Sequence, residues 1–582
     1  MSIPRPEHPR PDFFRPDWLN LNGEWEFMFD DDDLGEKERW FMPGKQFVKT
    51  IIVPFCYQSE LSGINDQAKH SIMWYRRSFS VPQSMKQKRI LLRFGAVDYA
   101  CDVYVNGQKV GSHQGGYTPF AIDITNFVSD NVNDLCLRVV DENDCVQPRG
   151  KQNWKDRWFG CWYTPVNGIW QTVYLEAAGE NYLLSALITP NIDEGTASIS
   201  LTLNEKPKHK IDAEVTVSFA GKEVRRLVHS LQQRTQRIIV DMIEGSEIGG
   251  FHLWSPSTPN LYDVNIKLST GDDVTTYFGM RSVELKEGHI LLNKKNLYQR
   301  LVLDQGYWPE SLLTPPSDDA IRNDVEWTKK FGYNGARKHQ KIEDPRYYYW
   351  ADKLGLLVWS EIPSTYEFTL EAVQNLSDTL YGSIQRDFNH PCIITWVPLN
   401  ESWGVDRIYR DKHQQAAAKM LYQQTKALDG TRLVSTNDGW EQTTTDILGL
   451  HDYAANGNVL EKHFEDRLKL EQVAYLHRLS YVDGMVPTGK EAFILSEYGG
   501  IAFEDNDSDS WGYHDKVSGE EAFFNRYQSL TDAARSIPYC QGYCYTQLTD
   551  VQQETNGLLT PERKPKIDYA RFASLTKNPE GR

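Results

Sequence analysis

From about residue 285 onward, strand-like and helix-like runs alternate eight times, and this alternation constrains the fold more than any other feature of the chain. The apolar, β-rich runs lie around 298–304, 331–337, 355–360, 392–399, 432–436, 446–451, 491–496 and 541–547. Long stretches of helical pattern separate them, such as Ser317–Lys330, which opens on Ser317-Asp318-Asp319 as a helix N-cap does. Strands alternating with helices predict a parallel α/β fold, and eight of them in about 300 residues predict a (β/α)8 TIM barrel over 285–582. Segment 455–490 is longer than a simple connection and is expected to form an excursion over the barrel mouth.

Upstream the texture is different. Residues 1–180 read as strands joined by tight turns. Leu21-Asn22-Gly23-Glu24-Trp25-Glu26-Phe27 and Cys101-Asp102-Val103-Tyr104-Val105 alternate apolar and polar residues, and Asn106-Gly107 follows the second as a turn. A jelly-roll β-sandwich is expected there. Residues 181–284 contain shorter alternating runs, such as Ala213-Glu214-Val215-Thr216-Val217, and the turn Ser255-Pro256-Ser257-Thr258-Pro259. About 100 residues of this kind predict an immunoglobulin-like β-sandwich.

A formal charge of −17 over 582 residues argues against nucleic acid as a partner, because phosphate binding needs clustered cations. No run approaches the ~18 apolar residues of a membrane-spanning helix, so no membrane partner is expected. The eight cysteines form no Cys-x-x-Cys pair, which favours neither a zinc site nor a disulfide framework. With a polar, proline-broken opening segment unlike a signal peptide, this leads to the expectation of a cytoplasmic protein with reduced thiols.

The chemistry-bearing residues stand where barrel strands end, the face on which this fold builds its sites. Ile393-Ile394-Thr395-Trp396-Val397-Pro398-Leu399 runs directly into Asn400-Glu401, and Phe493-Ile494-Leu495-Ser496 into Glu497. Two carboxyl groups on two strand ends supply what cleavage of a glycosidic bond requires. A single glutamate there is more simply a solvated loop charge; convergence of several on one face weakens that reading. Other polar residues at the same ends include Asp304, Gln305, Arg337, His339, Glu361, His451, Tyr453 and Gln547. The aromatic run Gln152–Trp162, with Trp154 in it, either lines a sugar cleft or packs a domain interface.

The set resembles glycoside hydrolase family 2, which contains β-galactosidases, β-glucuronidases and β-mannosidases. The resemblance rests on Asn400-Glu401-Ser402, Ser496-Glu497-Tyr498-Gly499, Leu21-Asn22-Gly23-x-Trp25-x-Phe27, Gly168-Ile169-Trp170, Leu253-Trp254-Ser255-Pro256 and Phe278-Gly279-Met280-Arg281, in that domain order. It implies a retaining exo-β-glycosidase with a carbohydrate substrate, Glu401 as acid/base and Glu497 as nucleophile. Asn400 matches the asparagine that holds the sugar 2-hydroxyl, and Arg337 the arginine packed on the nucleophile, unless it is only a structural ion pair. Asp304, Gln305, His339, Tyr453, Trp154 and Gln547 are then expected around the sugar. In departures from the family pattern, Gln305 replaces a histidine and His339 is displaced by one position. No lysine accompanies Asn556 in Glu554-Thr555-Asn556, where glucuronidases carry Asn-x-Lys, so a β-galactosidase-like activity is expected first. β-Glucuronidase, β-mannosidase, α-L-arabinosidase or a non-catalytic carbohydrate-binding relative are the alternatives. No cofactor or catalytic metal is expected, and a homo-oligomer is possible.

Overall fold

The computed structural model describes residues 3–155, 157–243, 250–466, 470, 472–473, 478–482, 488–504 and 509–577. The N-terminal sandwich faces a four-stranded sheet, built on Val173–Ala178 and Arg89–Phe94, against a six-stranded one built on Gly23–Phe29, Ile72–Phe79 and Asn133–Val140. The alternation read in the sequence has its cause in this packing. Trp25, Phe27, Tyr75, Val103 and Leu137 point into one core, and the residues between them face the other side of the sheet, where Trp74, Tyr104 and Cys136 join Trp40 in a second, smaller cluster. A second sandwich pairs a three-stranded sheet (Leu183–Asn191, Thr196–Leu203, Thr235–Asp241) with a four-stranded one around Ile211–Phe219. Its seven strands give the immunoglobulin-like architecture.

The third unit is a barrel of eight parallel strands: Gln299–Asp304, Gly335–Lys338, Leu357–Glu361, Ile393–Val397, Leu433–Val434, Ile447–His451, Ala492–Gly499 and Cys540–Thr546. All eight coincide with strand-like runs of the sequence. The ladder runs continuously from the fifth strand back through the first to the sixth. Asp446 N–H donating to the Val434 carbonyl (3.0 Å) and a bridge between Gly439 and Leu450 draw the fifth and sixth strands together, so the barrel is nearly closed. The helix Asp318–Lys330 is capped by Ser317, whose Oγ accepts the Ala320 N–H at 3.1 Å. Segment 455–490 contains the helix Gly457–His463; much of the rest of it lies outside the described residues.

The N-terminal sandwich reaches the barrel mouth through the segment that follows Asn143. Arg149 and Gly150 N–H both donate to the Ser364 carbonyl (2.9 and 3.1 Å), and Tyr366 N–H donates to Cys145 O at 2.8 Å. Gly150 has φ +60, and a Cβ on it would lie 2.0 Å from the Gln340 carbonyl oxygen. Only glycine lets the two backbones meet this closely.

Candidate active site

The fourth strand continues through Leu399–Asn400, which pairs with Asn437–Asp438. It then turns sharply: Glu401 and Ser402 have φ of 50° and 60°. Two consecutive non-glycine residues in this left-handed region are costly and need external support. Glu401 N–H donates to Asp438 O (2.8 Å), Ser402 N–H to Asn437 Oδ1 (3.0 Å), and Ser402 Oγ–H to Glu441 Oε2 (2.6 Å). The turn lifts the Glu401 side chain to partial exposure, 18%, while its neighbours stay buried.

Glu497 lies near the end of the fully buried seventh strand and takes three partners. Arg337 Nη1 donates to Oε1 at 2.8 Å, Tyr453 Oη–H donates to Oε2 at 2.5 Å, and His451 Nε2 lies 3.4 Å from Oε1. These groups orient the carboxyl group with donors on both oxygens, as a nucleophile poised for attack requires. Arg337, fully buried, also pairs with Glu361 and with Asp438 (2.9 Å), and its Nη2 donates to Asn400 Oδ1 at 2.6 Å. That last bond fixes the Asn400 amide and leaves its buried Nδ2 donor without a protein partner. The arrangement can donate to a substrate hydroxyl.

His451, at the end of the sixth strand, joins the two glutamates. Its Nδ1 lies 2.7 Å from Glu401 Oε1 and its Nε2 3.0 Å from Asp438 Oδ2. Both nitrogens face carboxylates, so both carry protons. Burial alone would favour the neutral ring, but Glu497, Asp438 and Glu401 hold the imidazolium up to about 10. Gly439 makes room for it: a Cβ there would lie 2.9 Å from the imidazole ring. Ligand atoms of Glu401, His451 and Glu497 fall within 4.8 Å of one another. A divalent ion could use that spacing, but both imidazole nitrogens already serve as hydrogen-bonded bridges.

Around this centre, His339 Nδ1 bonds Glu361 Oε2 (2.9 Å), and burial holds the ring well toward its neutral form. Gln305 Nε2 donates to Gln547 Oε1 (2.8 Å), leaving Gln305 Oε1 and Gln547 Nε2 buried without protein partners. Trp154 stacks on Tyr366 (4.2 Å between ring centres), Trp162 Nε1 donates to Tyr366 Oη (2.6 Å), and both Trp162 and Tyr366 lie against Trp403 (5.6 and 5.9 Å). Trp403 follows Glu401 by two residues, so this aromatic wall stands beside the two carboxylates. Tyr453 stacks on Tyr513.

Asp304 requires a correction. Its Oδ2 pairs with Lys338 Nζ at 2.9 Å and its Oδ1 accepts the Gly306 N–H at 3.0 Å. Lys338 and Lys341 in turn both pair with Glu343 at 2.8 Å and hold its carboxyl down to about 2 against the effect of burial. The reason is strand alternation. Arg337 points into the barrel, so its neighbour Lys338 points out toward the helices, and Asp304 is the register partner of Lys338. Asp304 braces the outer layer and does not face the catalytic glutamates.

His451, Asp438, Trp403, Lys151 and Glu554 are additional residues of this centre. His451 stood at a strand end in the sequence and Glu554 in the loop after the last strand, but nothing there indicated their contacts.

Comparison with known proteins agrees with this geometry. Residues 19–175 match the sugar-binding domain of glycosyl hydrolases family 2, residues 181–281 a further domain of that family, and residues 283–571 its TIM barrel domain. A β-galactosidase of Thermoanaerobacter pseudethanolicus is 26% identical over 416 residues, covering 69% of this chain and 54% of the relative. A putative β-glucuronidase of Formosa agariphila is 29% identical over 377 residues, covering 61% and 43%. The chain thus spans about half the length of these relatives. Among solved structures, a β-glucuronidase of Ruminococcus gnavus superposes with a TM-score of 0.77 at 19% identity, covering 99% of this chain and 100% of that one. At that identity the likeness speaks for the fold. With the three domain matches spanning nearly its whole length and two glutamates facing each other across the mouth of its barrel, the chain belongs to glycoside hydrolase family 2.

Proposed function

We propose that the protein is a retaining exo-β-glycosidase acting on a terminal, uncharged β-linked sugar, β-galactosidase-like in its preference. The observation that supports this most is the approach of Glu401 and Glu497, whose carboxylate oxygens lie within 4.8 Å of each other. Retaining glycosidases need about 5–5.5 Å between the two carboxyl groups; a one-step inverting mechanism needs room for a water between them. In the first step Glu497 attacks the anomeric carbon, the glycosidic bond breaks, and Glu401 gives its proton to the departing oxygen. In the second, Glu401 takes a proton from water as that water attacks the same carbon and releases Glu497. Arg337 and Tyr453 receive the charge that returns to Glu497. Asn400 Nδ2 is placed to donate to the sugar 2-hydroxyl as the ring flattens toward the transition state.

The preference for an uncharged sugar is supported by Glu554-Thr555-Asn556, which puts a carboxylate and an amide where the Asn and Lys of a uronate-binding Asn-x-Lys would stand, and by β-galactosidases among the relatives. β-Glucuronidase is the second reading, favoured by relatives of that name and by the cation Lys151 near the cleft. We place the enzyme in a reducing compartment, in keeping with eight cysteines that form no disulfide. Hydrolysis rates on a panel of 4-nitrophenyl glycosides, with the anomer first released identified by NMR, test the proposal. A β-galactoside cleaved fastest with a β-anomer released first is expected; an α-anomer released first overturns retention.

A further inference from the structure

The double displacement leaves a pair of charged residues beside the catalytic centre unused. Lys151 follows Gly150, the residue pressed on the barrel backbone, and is 5% exposed. Its Nζ lies 5.3 Å from the ring centre of Trp403 and 5.6 Å from that of Tyr163. Among the described residues no carboxylate comes within ion-pair distance of it, and the Cys161 thiol lies near it. Burial disfavours the ammonium, but Cys161, Glu554 and Glu497 outweigh that, which puts both carboxylates in its field.

Glu554 comes from the loop after the last barrel strand and is 2% exposed. Its Oε2 accepts from Tyr163 Oη–H at 2.6 Å and its Oε1 from Asn556 Nδ2 at 3.3 Å. The Tyr163 ring thus links the two, touched by Lys151 on its face and bonded to Glu554 at its hydroxyl. The polar surroundings are under-satisfied. Asn556 Oδ1 and Gln547 Nε2 are buried without a protein partner, and Gln547 N–H donates to the Asn556 carbonyl (3.4 Å). A buried ammonium and buried amides left open in this way are costly unless a polar ligand completes them. An aliphatic or aromatic ligand would leave them open; a polyhydroxylated one satisfies donors and acceptors together.

We propose that Lys151 and Glu554, one from each end of the chain, clamp the ring hydroxyls of the bound glycosyl residue and select an uncharged sugar over the corresponding uronate. The inference rests on the glycosidase reading above. A hydroxyl donates to the Glu554 carboxylate and accepts from the Lys151 ammonium at once. A uronate carboxylate in its place keeps the attraction to Lys151 but loses its donor and meets Glu554 with like charge.

The test compares kcat/KM on 4-nitrophenyl β-D-galactoside and 4-nitrophenyl β-D-galacturonide, which differ only at C6, and on the matched gluco pair. Wild type, Glu554→Gln, Lys151→Met and Lys151→Arg are measured, with Tm recorded for each. Wild type is expected to favour a neutral sugar at least about 100-fold. Glu554→Gln should reduce that ratio tenfold or more, and Lys151→Met should lower kcat/KM on the neutral sugar about 30-fold or more, with partial recovery in Lys151→Arg. A purely structural role lowers Tm and scales both substrates alike; a ratio within twofold of wild type in Glu554→Gln, however Tm behaves, overturns the clamp. Wild type active on neither pair overturns the glycosidase reading itself. Wild type preferring a uronide leaves that reading standing and overturns the proposed selection.

Discussion

Replacing His451 by glutamine removes a cation shared by both catalytic carboxylates, and the consequence for the pH profile is specific. The ring lies 2.7 Å from Glu401 and 3.4 Å from Glu497. At an effective dielectric of about 20, a unit charge at such distances interacts by roughly 5 kcal/mol. Arg337 remains on Glu497 and rearrangement will recover part of this, but even a third of it moves a titration by about one pH unit. The signs follow from the mechanism. The acid limb of kcat/KM reports ionisation of the nucleophile, and loss of a nearby cation makes ionisation harder, so that limb moves up. The alkaline limb reports loss of the proton on the acid; the same loss of charge makes that proton harder to remove, so this limb also moves up. Both limbs should therefore shift together toward alkaline pH, by about one unit or more, with kcat/KM on the acid side of the profile falling about tenfold. Stability carries a second signature. The imidazolium is raised from 6.5 to about 10, so its contribution is full below about 6.5 and is lost as pH rises toward and through about 10. Wild type should lose part of its thermal stability over that window and the variant should lose less. Limbs that stay within about 0.3 unit of wild type, or that move in opposite directions, refute the bridging role.

Other variants probe single steps. Glu497→Gln should end turnover on every glycoside, because no other group forms the glycosyl ester; near-wild-type rates would reassign the nucleophile. Glu401→Ala should harm substrates with poor leaving groups far more than aryl glycosides, and with azide should yield a β-glycosyl azide from a β-glycoside; an α-azide, identified by NMR, contradicts retention. Asp304→Asn leaves Lys338 with a weakened buried ion pair, a change on the order of 3 kcal/mol. It should lower Tm while scaling kcat/KM alike on parent and deoxy sugars, and selective loss on the parent sugar would return Asp304 to the substrate site.

The sequence revealed the barrel and the two strand-end glutamates because those signals are local. A run such as Ile393–Val397 is apolar on every side chain but Thr395, and the change to Asn400-Glu401 marks the strand end without any knowledge of its neighbours. The phase of such a strand is another matter. Gln299–Asp304 and Gly335–Lys338 are buried or nearly so throughout, so the alternation that separates inward from outward residues in a one-sided sheet is missing. Asp304 stands at a strand end as a sugar-binding residue would, and only its register against Lys338 reveals that it points outward. His451 was hidden for a related reason. Its role comes from three carboxylates on other strands, those of Glu401, Asp438 and Glu497, and a histidine after Gly449-Leu450 has the same appearance whether it meets solvent or an acid.

Lys151 shows what a site shared between domains does to that legibility. The catalytic glutamates ride on barrel strands, whose positions the barrel's hydrogen-bonded ladder sets. The aromatic wall of Trp154 and Trp162, and the ammonium of Lys151, ride on a loop of another domain, held by Gly150 against Gln340 and by two bonds to Ser364. Nearly 250 residues separate Lys151 from Glu401, so no local pattern can join them. The physical division also separates two properties of the site. A change in the loop alters which ring hydroxyls are met while Arg337, Tyr453 and His451 still hold the two glutamates in place. A change in the barrel centre disturbs every substrate alike. Family membership follows from the order of domains and their matches, whereas the proposed choice of sugar depends on contacts across the domain boundary, which no single domain's pattern carries.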